Sequence, residues 1–143
     1  MQEEVIVKIK RIHPDAKIPL YSHPGEDAGM DVFAVSKEVK EKYIEYKTGL
    51  TLEIPKGHVC LIFPRSSVTN KDLMLKNSVG VLDSGYRGEL IFRFQKFEGL
   101  DVYETGDRVG QIIILSYPFV KVEEVNELAE SNRGTGGWGH TGK

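Results

Sequence analysis

The sequence predicts an all-β domain, a sandwich or jelly roll, followed by a free C-terminal arm, and three observations carry that prediction. Fifteen glycines and six prolines interrupt the 143 residues too often for a helical bundle. The runs between them have the length of strands and are rich in β-branched and aromatic residues. No internal repeat and no linker occurs before about residue 130, so one domain over 1–130 is expected, with 131–143 as the arm.

The elements follow in order. "VIVKIKRI" (5–12) alternates Val7 and Ile9 with Lys8 and Lys10, the period of a half-buried strand. "VSKEVKEKYIEY" (35–46) is ambiguous, because Val35, Val39 and Tyr43 fall at helical spacing while the stretch from Tyr43 to Thr48 would serve as a strand. A loop followed by a strand is expected there. "LTLEIP" (50–55) and "HVCLIF" (58–63) read as two more strands. "SSVTNKDL" (66–73) is the best short helix, with Ser66 or Ser67 as its cap. In "ELIFRFQKF" (89–97), Leu90, Phe92 and Phe94 alternate with Ile91, Arg93 and Gln95, and burial on both faces is expected. "QIIILSY" (111–117) and "FVKVEEV" (119–125) close the series, and "PKGH", "DSGYRG" and "ETGD" read as turns.

Composition narrows the function. Nineteen basic and twenty-one acidic residues give a net charge of −2 without a block of either sign, which argues against a nucleic-acid-binding surface. No apolar run reaches the ~18 residues of a membrane span. The opening "MQEEVIVKIK" lacks the order of a signal peptide, so a soluble, cytoplasmic protein is expected, free of membrane. Cys60 is the single cysteine, in an apolar run that suits a small buried side chain. The four histidines form no i, i+4 pair, and no zinc site is expected.

Five segments combine turn residues with reactive or charged side chains. In "DAGMDVFA" (27–34) Asp27 and Asp31 flank a glycine, so a carboxylate could face a hydrated cation or cap a turn. "FPRSSVTNKDL" (63–73) puts Arg65, Ser66 and Ser67 before a short helix, an arrangement suited to an anion, since a guanidinium there otherwise opposes the helix dipole. "NSVGVLDSGYRGEL" (77–90) reads as a hairpin with Gly85 and Gly88 in its turn; Asn77, Asp83 and Tyr86 could present backbone amides, a flat ring and a general base to one ligand. In "GDRVGQIIIL" (106–115), Asp107, Arg108 and Gln111 precede an apolar strand, and a surface turn pair accounts for the first two. "RGTGGWGHTGK" (133–143) matches G-x-G-x-x-G and the opening of a P-loop by letter. Neither match has the following helix that phosphate binding of those kinds requires.

Taken in this order, the segments resemble the five motifs of the trimeric deoxyuridine triphosphatases (dUTPases), through "AGMD", "PRSS", "GVLDSGYRG", "GDRVGQ" and "RGTGGWGHTG". The resemblance spans residues 27 to 142 and implies a distorted jelly roll, the dUTPase-like β-clip, with one short helix and a flexible arm. It implies hydrolysis of dUTP to dUMP and pyrophosphate with Mg²⁺, which limits uracil in DNA and supplies dUMP for dTMP synthesis. The sites would lie between the subunits of a homotrimer. Asp83 would be the base that deprotonates the attacking water. Arg65, Ser66, Ser67 and Gln111 would hold the phosphates, and Asp31 would meet Mg²⁺ through water. Asp27, Asp107 and Arg108 would support the site. Tyr86 would lie against the deoxyribose, while Asn77 and the backbone of Gly80, Val81 and Leu82 read uracil. From the arm, Arg133, Gly136, Gly137, Gly139, His140 and Thr141 would fold over the phosphates and Trp138 would stack on uracil.

Four positions depart from the family pattern: Ser67 for a common glycine, Gly85 for aspartate, Trp138 for phenylalanine and His140 for a hydroxyl residue. Two alternatives stand beside this reading. One is a dCTP deaminase of the same fold, disfavoured because "SSVTN" lacks that branch's arginine and "LIFRFQ" its carboxylate. The other is a non-catalytic regulatory or viral module.

Overall fold

A computed structural model describes residues 4–139. Its strands are β1 (Lys8–Arg11), β2 (Met30–Phe33), β3 (Ser36–Val39), β4 (Ile44–Glu53), β5 (His58–Phe63), β6 (Leu73–Leu75), β7 (Gly80–Leu82), β8 (Glu89–Lys96) and β9 (Arg108–Ser116), with a 3₁₀ helix at Ser66–Asn70. They form two antiparallel sheets. One runs β1-β4-β8-β6, with β3 also on β4; the other runs β2-β9-β5-β7. All-β architecture is therefore what the sequence predicts. Among the described residues no helix is long and apolar enough to cross a membrane.

The alternation in β8 builds the core. Leu90, Phe92 and Phe94 point inward and are fully buried. Phe92 and Phe94 stack at 6.3 Å between centroids, and Tyr46 of β4 meets Phe94 edge-on at 5.7 Å. Val32, Cys60, Val109 and Ile112 come from the other sheet. Burial raises the Cys60 thiol to about 12, which keeps it protonated and inert at neutral pH. Gly110 of β9 faces Phe92, and a methyl group there would stand 2.1 Å from the ring.

One irregularity lets β4 serve two edge strands. Its ladder with β8 shifts register between Lys47 and Thr51. There Gly49 adopts φ +69°, a conformation that costs glycine little. The bend is pinned by Thr48 Oγ1 donating to the Leu90 carbonyl (2.7 Å) and Gly49 N donating to Glu89 Oε2 (2.8 Å). β3 then pairs with the first half of β4 and β1 with the second.

Five expectations need correction. Residues 36–39 form strand β3 rather than a loop; as an edge strand on β4 it accommodates the charged Lys37 and Glu38. The helical spacing of Val35 and Val39 carries no burial, since Val39 is 62 % exposed. β8 is buried on one face only, with Arg93 exposed on the other. Ser66 and Ser67 lie inside the 3₁₀ helix, whose N-cap is Arg65, and no side chain caps it. "DSGYRG" is not a hairpin turn, because β7 pairs with β5 while β8 belongs to the opposite sheet, so the turn carries the chain across the core. Gly85 and Gly88 both keep ordinary φ there.

The last correction concerns "FVKVEEV", which forms no strand within the chain. Its apolar side chains stand in solvent, Phe119 at 95 % and Val122 at 88 % exposure. Strand pairing inside the chain thus ends at Ser116.

The contact between Gly110 and Phe92 gives a direct test of the core. Gly110→Ala should lower stability by about 1–3 kcal/mol, because a methyl group has no space between the sheets. Urea unfolding followed by fluorescence checks this, and an unchanged midpoint would contradict the packing.

Candidate active site

Sheet register gathers three of the five segments. Asp31 of β2 pairs with Gln111 of β9, and Gln111 pairs with Phe63 at the end of β5. Pro64, Arg65 and Ser66 therefore leave the sheet beside Asp31. Together they wall a pocket of about 530 Å³ that Ser22, His23, Glu26, Asp27 and Gly29 complete.

Asp31 is the hub of this pocket. Its carboxylate is only 12 % exposed and its two oxygens serve different partners. Oδ1 accepts from Arg65 Nε (3.0 Å); Oδ2 accepts from Arg108 Nη1 (2.8 Å) and Ser22 Oγ (3.2 Å). This fixes the orientation of Arg65, which lines the pocket while its Nη1 donates to Ser67 Oγ (3.5 Å). Gln111 is held too, since Nε2 donates to the Pro64 carbonyl (3.0 Å). Its Oε1 lies against Gly29, where a methyl group would stand 2.1 Å away and push the amide aside.

The supporting residues divide by task. Asp27 accepts from the His23 backbone N–H (2.8 Å) and lies 3.1 Å from His23 Nδ1. Asp107 closes the turn before β9 by accepting from Glu104 N (2.7 Å). Arg108 does not pair with Asp107 in a surface turn but reaches Asp31 and covers the Phe33 ring at 5.4 Å. Ser67 does not line the pocket. Its Oγ lies 2.8 Å from the Tyr103 hydroxyl, so it sits behind Arg65.

The third segment builds a separate cleft of about 490 Å³, lined by Asn77, Gly80, Val81, Leu82 and Tyr86, with Ile62 as its floor. Gly80 lets Asn77 approach, because a methyl group there would lie 3.2 Å from Nδ2 and 2.9 Å from Ile62 Cβ. Tyr86 folds back over Gly88: its hydroxyl donates to the Glu89 carbonyl (3.1 Å), and a methyl group on Gly88 would fall 2.3 Å from Cζ. Gly88 thus provides space, not backbone freedom. Arg87 Nη1 braces the turn by donating to the Ser84 (2.6 Å) and Tyr86 (3.1 Å) carbonyls. Asp83 is exposed, and among the described residues its carboxylate has no hydrogen-bond donor.

One chain does not bring these two regions together. Leu82 pairs with Cys60, three residues before Phe63, and β7 runs away from the Arg65 end of β5. Asp83 consequently leaves the sheet roughly 10–15 Å from the Arg65 end, at ~3.3 Å per residue. The described part of the arm, 131–139, lines neither cleft. Arg133 Nε donates to the Gly136 carbonyl within a local turn, Gly137 and Gly139 follow it, and Trp138 is fully exposed. His140 and Thr141 lie outside the described residues.

The sequence pattern of the dUTPase family matches residues 15–142. The chain belongs to the dUTPase family. It is 41 % identical to the deoxyuridine 5'-triphosphate nucleotidohydrolase of Solibacter usitatus, over 96 % of each chain. It is 38 % identical to that of Clostridium tetani, over 98 % of this chain and 99 % of the relative. In fold it is similar to a dUTPase of Staphylococcus bacteriophage 80alpha solved with dUpNHpp, with TM-score 0.81 and 24 % identity over 96 % of this chain and 99 % of the other. A dUTPase of phage phi11 of S. aureus, described with a structural Mg(II) ion, aligns with TM-score 0.70 and 22 % identity over 85 % of this chain and 97 % of the other.

Ser22 and His23 line the pocket although they lie outside the five segments singled out in the sequence. Ser22 reaches Asp31 because Leu20 bridges to Asp31 across the sheet edge, a pairing no local pattern announces. Tyr43, Lys76 and Arg93 extend the second cleft and were missed for the same reason.

Removing the hub should be felt in the fold as well as the site. Asp31→Ala is expected to cost roughly 1–3 kcal/mol, because two partly exposed guanidiniums lose their acceptor. Thermal unfolding checks it, and a melting temperature equal to that of the unmodified protein would contradict this role.

Proposed function

We propose that the protein hydrolyses dUTP to dUMP and pyrophosphate at sites shared between the copies of a homotrimer. The observation that carries this reading is the split: a pocket walled by Arg65, Ser66 and Gln111 stands apart from a cleft lined by Asn77, Gly80 and Tyr86, after whose strand β7 the exposed Asp83 follows. A single ligand can meet both only if one copy offers the first and its neighbour the second. The exposed, strand-patterned 119–125 stretch supports the same reading, since an unpaired strand finds partners on another copy's sheet edge.

The chemistry follows from the residues. The uracil edge is read by Asn77 and the backbone of Gly80, Val81 and Leu82, in a cleft too close for a thymine methyl group. Tyr86, pressed onto Gly88, lies flat against the deoxyribose and leaves no room for a 2′-hydroxyl. Arg65, Ser66 and Gln111 hold the phosphate chain, with Ser67 acting behind Arg65. Asp83 positions a water in line with the α-phosphorus and takes its proton, so no covalent intermediate is needed. From the arm, Arg133, Gly136, Gly137, Gly139, His140 and Thr141 cover the phosphates while Trp138 stacks on the base.

The pocket fits a Mg²⁺ ion that arrives on the polyphosphate. Asp31 retains one lone pair, on Oδ1, beyond those used by Arg65, Arg108 and Ser22, and among the described residues no group of three His, Cys, Asp or Glu side chains forms a cage. That donor set suits a cation taking most of its ligands from phosphate and water, with Asp31 outside the water shell. When bound, Mg²⁺ would offset charge on the phosphates.

Pyrophosphate release from dUTP, dTTP, dCTP and UTP tests the reaction. dUTP should be strongly preferred, and Asp83→Asn should lower kcat by about 10²–10⁴. Equal rates for Asp83→Asn and the unmodified enzyme would sink the assignment, whereas ammonia released from dCTP would favour the deaminase. Mixing tests the shared site: Asp83→Asn and Arg65→Ala chains, each inactive alone, should regain activity in roughly a quarter of sites after joint refolding. No recovery in verified mixed trimers would place each site within one chain.

A further inference from the structure

The Asp31 pocket contains a histidine outside the five motif segments, its side chain 69 % exposed and tied on one side to Asp27. We propose that His23 binds the phosphate chain of the nucleotide through Nε2; this rests on the pocket receiving dUTP as proposed above. His23 stands in the same wall as Asp31, Arg65, Ser66 and Gln111.

Its orientation is determined by its own loop. The His23 carbonyl accepts from Glu26 N (3.1 Å) and Asp27 N (3.0 Å), and its N–H donates to Asp27 Oδ2 (2.8 Å). The same Oδ2 lies 3.1 Å from Nδ1. Both backbone groups and one ring nitrogen are therefore committed to the loop, and Nε2 is the polar atom left for a ligand. With Nδ1–H donating to Asp27, a hydrogen bond from Nε2 to a phosphate oxygen requires a hydrogen there as well, so the ring that bridges carboxylate and phosphate is the imidazolium. Two charge-assisted hydrogen bonds then run through one ring, from Asp27 to phosphate.

The balance of charge gives this group a task. The charged groups facing His23 are Glu26 and Asp27 from its own loop, Asp31 from β2 and Arg65 beyond β5, with Arg108 of β9 reaching Asp31 beside Ser22. The lining itself holds three carboxylates against one guanidinium, an excess of two negative charges. A polyanion entering it meets repulsion from Glu26 and Asp27 unless a cation stands on that side. Arg65 is engaged with Asp31, so His23 is the one side chain of the 22–29 loop able to carry a positive charge.

The test compares nucleotides that differ only in phosphate number. Calorimetry on the full-length enzyme measures the affinity of dUpNHpp and of dUMP for unmodified, His23→Ala and His23→Lys proteins. His23→Ala should weaken dUpNHpp roughly tenfold, the loss of one charge-assisted contact, while leaving dUMP within twofold. His23→Lys should restore much of the dUpNHpp affinity, which a purely structural ring would not allow. Unchanged dUpNHpp affinity in His23→Ala, or equal weakening of both ligands, would overturn the proposal while leaving dUTP hydrolysis intact. An unmodified enzyme that binds neither ligand would overturn the functional reading and this inference with it.

Discussion

Asp31 stands nearly enclosed between two guanidiniums, and most of what the pocket can do depends on that carboxylate. It lies on an edge strand, where pairing with β9 sets its height, and it takes Arg65 from one segment and Arg108 from another. Neither arginine is near it in sequence. The pair of ion contacts is partly exposed and so contributes modestly to stability. Its larger effect is geometric, because it holds Arg65 in the pocket wall without help from a ligand. Gly29 and Pro64 do the same for Gln111, through space in one case and a carbonyl in the other.

The fold distributes the remaining chemistry with equal economy. Sheet order places β2 and β7 on opposite edges of the same four-stranded sheet, so the Asp31 pocket and the Asn77–Tyr86 cleft stand apart within a chain. The extended segment after Ser116 leaves the body with its apolar side chains uncovered. Both features are ones that the proposed trimer would use. The core needs no such completion: Phe92, Phe94, Tyr46 and Gly110 form a closed contact set inside each chain.

Much of this was legible in the sequence, for identifiable reasons. Strands with strict alternation, such as Lys8–Arg11 and Glu89–Lys96, declare themselves because period-two burial is local. Short strands such as Gly80–Leu82 do not, since three residues carry no period. The segment around Asp83 was misread as a hairpin because adjacency in sequence says nothing of which sheet each strand joins. Asp31, Arg65 and Gln111 could be named from their motifs, but not that Arg108 would reach Asp31 or that Ser67 would turn toward Tyr103. Those contacts arise from register between distant strands. The disfavoured deaminase alternative finds no support in β8 either, whose inward positions Leu90, Phe92 and Phe94 carry no carboxylate.

The seat of Tyr86 on Gly88 bears on how this site can change over generations. The ring rests where a side chain is missing, so any substitution at 88 has to displace it. On the proposed placement of Tyr86 beside the deoxyribose, the choice of sugar would then be guarded by a position that bears no atoms to lose.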